Sequence, residues 1–197
     1  MPRIDNDEFY SATLKKHTLN HRKVHWNSLH SQHTRFRVLL KLLNRDLSQD
    51  AIVDAGCGLA DLLTYLNTER IRVKKYIGLD LHRDMIMQAR ELHNNQEILQ
   101  LDILNESLPT AEWYFCSGAM NVLTRDETHK FITKCFNSSS KGFVFNILKG
   151  RDQSLVYNYF LPQEIKKLSL ELGAKVKFVE GYLERDFSVL MYKEPKE

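Results

Sequence analysis

Three aspartates carry the first chemical signal in this sequence. Asp54 lies at the end of the apolar run AIVDA, Asp80 at the end of YIGLD, and Asp102 just after EILQL. Between the first run and the leucine-rich segment that follows lie four small residues, Ala55-Gly56-Cys57-Gly58. Glycine allows a tight turn with positive φ and lets a ligand touch the main chain. A carboxylate accepts several hydrogen bonds and attracts cations. Each aspartate alone also suits an N-cap or a turn; the three together point to one shared ligand.

Side chains arranged in this way need a scaffold that brings strand ends together. The pattern predicts strands over Ala51–Ala55, Lys75–Leu79, Glu97–Leu101, Trp113–Cys116 and Gly142–Ile147, then a closing pair, Lys175–Val179 and Phe187–Tyr192. The short link in that pair allows antiparallel pairing. Helical spacing marks residues 33–45, Ala60–Leu66 and His82–His93, the last with Met85, Ile86, Ala89 and Leu92 on one face. Thr124-Arg125-Asp126-Glu127 is a capping box. Pro162 and Gly173 bracket a further helix with Ile165, Leu168 and Leu172 inward. Residues 6–30 read as polar and helical in part. Alternating strands and helices give an α/β fold: a Rossmann-like, doubly wound, mostly parallel seven-stranded sheet with an antiparallel last strand. An N-terminal helical arm or lid over residues 1–48 precedes a compact core over 49–197. Ligands of such sheets bind at the carboxyl ends of the strands.

The ligand classes separate on one residue. Gly56, Gly58 and an acid 22 residues after Gly58 fit part of a dinucleotide fingerprint, but its third glycine position holds Asp61. A carboxylate there repels a pyrophosphate and competes for the helix N-terminus. No Gly-Lys-Ser/Thr follows, so a phosphate-binding loop also fails. A nucleoside with a cationic tail fits better, and S-adenosylmethionine is such a ligand. Asp80 suits its ribose diol and Asp102 its adenine amine. Asp54 and Asp61 suit its ammonium and sulfonium, and the glycine turn suits its methionyl chain.

The segments VDAGCGLAD, IGLDLHRDMI, LQLDIL and the strand before SGAMN resemble the class I S-adenosylmethionine-dependent methyltransferases over about residues 50–192. They look closest to a bacterial subgroup of largely unassigned substrate. That subgroup carries Gln-x-x-Arg-Phe, here Gln32 to Phe36, then SG-x-x-N, here Ser117 to Asn121, and an Asp-Phe-Ser/Thr-Val strand, here Asp186 to Val189. The resemblance implies that Gly56, Gly58, Asp80 and Asp102 bind the cofactor, with Arg35, Asp54, Ala55, Asp61, Leu81, Met85, Ile103, Ser117 and Gly118 around it. Arg35 is expected to pair with the methionyl carboxylate, against the plainer alternative of a surface cation.

Methyl transfer is an in-line displacement that relies on positioning and exclusion of water, so its catalytic residues leave a faint signature. Asn121, Tyr157 and Tyr159 are catalytic candidates, and Trp26, Asn121 and Asn146 are candidates for holding the acceptor. The chain lacks the Asp/Asn-Pro-Pro-Tyr/Phe and Pro-Cys signatures of DNA methyltransferases. A small-molecule acceptor is the first expectation, tRNA, rRNA or protein the second, and a non-catalytic nucleoside-binding module the third. The net charge is +3, and residues 1–50 hold nine Lys/Arg against five Asp/Glu and five of the eight histidines, which keeps nucleic acid in view. His17, His21 and His25 share a helical face, but no completing ligand is evident, so no metal site is expected. Three cysteines without CxxC spacing, no secretory leader and no run of membrane-spanning length predict a cytoplasmic chain with no membrane partner. Oligomeric state does not follow from the sequence.

Overall fold

The computed structural model describes residues 28–151, 154 and 156–194. Seven strands form one sheet: β1 (Ala51–Ala55), β2 (Lys75–Asp80), β3 (Glu97–Gln100), β4 (Ala111–Ser117), β5 (Ser139–Leu148), β6 (Lys175–Glu180) and β7 (Asp186–Tyr192). Their order is β3-β2-β1-β4-β5-β7-β6, with β7 antiparallel to both neighbours and the other pairings parallel. This is the expected doubly wound sheet with its antiparallel closing strand. Because β7 runs backwards, its first residue, Asp186, lies opposite Leu148 at the carboxyl end of β5. An acid that enters late in the chain thereby reaches the rim occupied by Asp54, Asp80 and Ser117.

Helices cover both faces. On one face α1 (Ser28–Leu43), α2 (Asp61–Thr68) and α3 (Arg83–Leu92) bury Phe36, Leu39, Leu62, Leu66 and Ile86 against Ile52, Tyr76, Phe115, Val144 and Leu190. On the other, α4 (Arg125–Ser138) and α5 (Pro162–Glu171) bury Phe131, Ile132 and Ile165 against Tyr114, Phe143, Phe145 and Phe187. The alternation along each strand divides the side chains between these two cores. The capping box of α4 forms as expected, with Thr124 accepting from the Glu127 N–H and Glu127 accepting from the Thr124 N–H.

Two local expectations shift. Leu92 is not part of the inward face of α3 but 67% exposed, because it is the last helical residue and α3 packs on the short edge strand β3. The described part of the first helix spans Ser28–Leu43 and so reaches further back than residue 33, which places Gln32, Thr34 and Arg35 on α1 itself. Most of the predicted arm, including Trp26, His17, His21 and His25, lies outside the described residues.

Candidate active site

The site grows from the turn after β1. Gly56 and Cys57 both donate their N–H groups to the Leu79 carbonyl, at 2.8 and 2.9 Å, folding the chain back over β2. Gly56, Gly58 and Ala60 all have positive φ, at 76°, 54° and 62°. The two glycines serve different ends. A Cβ on Gly56 would lie 2.2 Å from the Ala119 Cβ, so this glycine exists for close packing against the segment after β4. A Cβ on Gly58 would meet nothing within 4 Å, so the turn is open there. Gly56→Ala is expected to destabilise the fold by about 2–4 kcal/mol, through left-handed strain plus overpacking. Ala119→Gly added to it removes only the overpacking share, which denaturant unfolding of the single and double variants separates.

Asp80 organises this turn. Its Oδ2 accepts from the Gly58 N–H and its Oδ1 from the His82 N–H, each at 2.9 Å, tying the glycine turn to the start of α3. Each carboxylate oxygen keeps a further lone pair, enough for a ribose diol. Leu81 is exposed and Met85 buried beside it. Asp61 opens α2, where its charge favours the helix dipole. Its Oδ2 accepts from Gln32 Nε2 at 2.8 Å, fastening α1 across the mouth of the turn.

Asp54 is buried, and its Oδ2 accepts from the Tyr76 hydroxyl at 2.8 Å. Burial pushes its pKa up to about 7; the Tyr76 hydrogen bond opposes the rise, while the charges of Asp61 and Asp80 add to it. Because the folded value lies above the unfolded one, its contribution to stability is complete below about pH 4 and is lost as pH rises toward 7. A cation bound at the turn favours the ionised form. S-adenosylhomocysteine carries an ammonium, so its affinity is expected to rise by about tenfold between pH 6 and 7.5, with proton release on binding; calorimetry in buffers of different ionisation enthalpy checks this.

The remaining expected residues fall into three groups. Asp102 lies two residues beyond β3 and builds a turn: Oδ1 accepts from the Leu104 N–H at 2.8 Å and Oδ2 from Asn105 Nδ2 at 2.7 Å. Ile103 is buried beneath it. Ser117, Gly118 and Asn121 cap β4, and Asn158 donates its N–H to the Asn121 carbonyl at 2.8 Å. That bond brings the Tyr157–Tyr159 segment beside Asn121. Asn146, on β5, is directly in register with Ser117. Arg35 is held within the chain. It is no surface cation; its Nε donates to Asp186 Oδ2 at 2.6 Å in a buried ion pair. Asp186, Ser188, Thr34 and Gln32 were not among the expected site residues. The signal for them was the short spacing of Gln32 and Arg35 on one helix and the acid heading an otherwise apolar strand.

S-adenosylmethionine meets complementary groups at this rim. Gly58 offers open main chain, Asp80 offers lone pairs beside it, and Asp54 is a buried acid whose ionisation a cation would aid. The residues fit the group. Residues 52–142 match the family described as "Methyltransferase domain". No curated protein sequence matches the chain. Among solved structures, magnesium protoporphyrin IX methyltransferase from Synechocystis PCC 6803 with bound SAM superposes with a TM-score of 0.73 at 12% identity, over 98% of this chain and 100% of that one. The DhpI-SAM-HEP complex gives 0.73 at 12% identity, over 97% and 98%. Human N-acetylserotonin methyltransferase in complex with SAM gives 0.69 at 14% identity, over 98% of this chain and 61% of that one. Residues 52–142 are thus similar to a methyltransferase domain, and the chain shares the fold of these S-adenosylmethionine-bound methyltransferase structures.

Proposed function

We propose that this protein transfers a methyl group from S-adenosylmethionine to an oxygen or nitrogen atom of a small molecule, leaving S-adenosylhomocysteine. The observation that carries this reading is the contact between the two halves of the rim. Gly56 is packed so closely on Ala119 that the turn for the cofactor and the Ser117–Asn121 segment for the acceptor form one unit. When bound, S-adenosylmethionine supplies a methyl group made electrophilic by its sulfonium.

The chain's own residues then bind, orient and keep out water. Gly58, Asp54, Asp61 and Asp80 hold the donor, with Ala55, Leu81, Met85, Asp102, Ile103, Ser117 and Gly118 around it. Asn121 and Tyr157 face the acceptor side. Burial, then the neighbouring Tyr159, pushes the Tyr157 phenol up, so at neutral pH it serves as a hydrogen-bond donor rather than a base. Burial pushes the Cys57, Cys116 and Cys135 thiols up as well, which disfavours a thiolate nucleophile. Positioning therefore supplies most of the rate. Helix α1, pinned by Gln32–Asp61 and Arg35–Asp186, covers the rim and excludes water. In this reading residues 1–48 are an arm over the 49–197 core, and Trp26 contributes to the acceptor side. The protein works in the cytoplasm, where its three free thiols persist.

The names of two structural neighbours, those for magnesium protoporphyrin IX and N-acetylserotonin, support a small-molecule acceptor. Among the described residues no helix is long and apolar enough to cross a membrane. Incubation with methyl-labelled S-adenosylmethionine and a panel of small molecules tests the reading. Label is expected in a small product, at a rate nearly constant between about 50 and 200 mM salt. Label confined to added RNA, with affinity falling about a thousandfold or more over that range, would contradict it.

A further inference from the structure

Among the described residues, most of the buried side-chain atoms that make no hydrogen bond lie at the rim of the sheet beneath α1, with His129 on α4 standing apart. Both amide atoms of Asn146 are among them, with Ser117 Oγ, Asp186 Oδ1, Thr34 Oγ1 and Asn121 Oδ1. Asn146 is 0% exposed. Ser117, Asn146 and Ser188 are direct register partners on β4, β5 and β7, so their side chains leave the same face. The row spans about 10 Å, two inter-strand spacings. Leaving a buried polar group unpaired costs stability, and an amide that leaves both its donor and its acceptor unpaired is a large departure from ordinary packing. Cores retain such a group when it has work to do with a ligand.

The row also selects the chemistry of that ligand. Its charged residues are Arg35 and Asp186, and each already neutralises the other at 2.6 Å. The pair is neutral overall, so an incoming carboxylate or phosphate would find no net positive charge there and would meet the unbonded oxygen of Asp186. Asn146 presents one donor and one acceptor in a plane, and Asp186 Oδ1 and Asn121 Oδ1 present further acceptors. We infer that Ser117, Asn146 and Asp186 form the acceptor subsite, and that it takes an uncharged molecule with an amide-like donor–acceptor edge and a second N–H (a primary carboxamide or a ureide). The edge docks on Asn146 and its second N–H on Asp186. The atom to be methylated then lies toward Ser117 and Asn121, one strand spacing nearer the glycine turn. Arg35 of α1 closes over the row at Asp186, so the ligand enters from the half-buried Ser117 end.

This inference rests on the methyltransferase reading, and the test separates the two. Asn146→Leu and the smaller Asn146→Val remove the unpaired amide. They are expected to raise Tm by roughly 2–8 °C, while affinity for S-adenosylhomocysteine stays within about twofold of wild type. On wild-type protein saturated with S-adenosylhomocysteine, nicotinamide is expected to bind at least about tenfold more tightly than nicotinate, and both variants to lose that preference. A lower Tm in both variants overturns the subsite. So does equal or tighter binding of nicotinate, or no binding of either probe. Failure of wild-type protein to bind S-adenosylhomocysteine overturns the methyltransferase reading and this inference with it.

Discussion

Asp80→Ala is expected to reduce affinity for S-adenosylhomocysteine by about 100-fold or more, the largest single loss of cofactor binding in the site. Two effects add. A charged acceptor for the ribose diol disappears, worth about 1.5–3 kcal/mol. The Gly58 and His82 N–H groups also lose their shared partner, which releases the glycine turn from the start of α3. Preorganisation is lost along with the contact. Asp80→Asn does not rescue this, because its Nδ2 would face a main-chain N–H on one side. Calorimetric titration of both variants measures the loss, and wild-type affinity in Asp80→Ala would remove Asp80 from the ribose contact.

Breaking the buried pair between Arg35 and Asp186 is expected to cost about 3–5 kcal/mol of stability in Asp186→Ala or Arg35→Ala. The pair joins residues 151 positions apart and holds α1 to the end of β7. Removing one partner leaves the other charge buried beside Asn146 and Ser188. Replacing both with apolar residues, Arg35→Met with Asp186→Leu, should recover most of the loss, since no uncompensated charge remains. Denaturant unfolding of the two single variants and the double variant gives the coupling directly. Additive losses would show that the pair contributes little, and that α1 is held by Phe36 and Leu39 instead.

These two sites also show what a linear reading captures. Asp54, Asp80 and Asp102 were legible because strand periodicity and strand termination are local, and a parallel sheet then places every carboxyl end on one rim. The seven strands and their antiparallel close were legible for the same reason. The buried partner of Arg35 was not legible, because Asp186 is far away in sequence and only the reversal of β7 brings that acid to the rim. The close packing of Gly56 on Ala119 is a contact that no local pattern encodes. Asp102 illustrates two local rules meeting in one residue, since both of its oxygens cap its own turn at the position the adenine reading also uses. Asn146 was noticed as a polar residue in the strand GFVFNI, but the lack of any hydrogen bond to its side chain belongs to three-dimensional packing alone.

The measurement that bears most directly on the central claim is calorimetric titration of the full chain with S-adenosylhomocysteine, with NAD as the comparison. The open main chain at Gly58, the carboxylate of Asp80 and the acid Asp61 at the mouth of α2 predict saturable one-to-one binding of S-adenosylhomocysteine and no heat from NAD. Binding of NAD without S-adenosylhomocysteine would show that Asp61 tolerates a pyrophosphate, and the assignment of a methyl donor to this turn would be wrong.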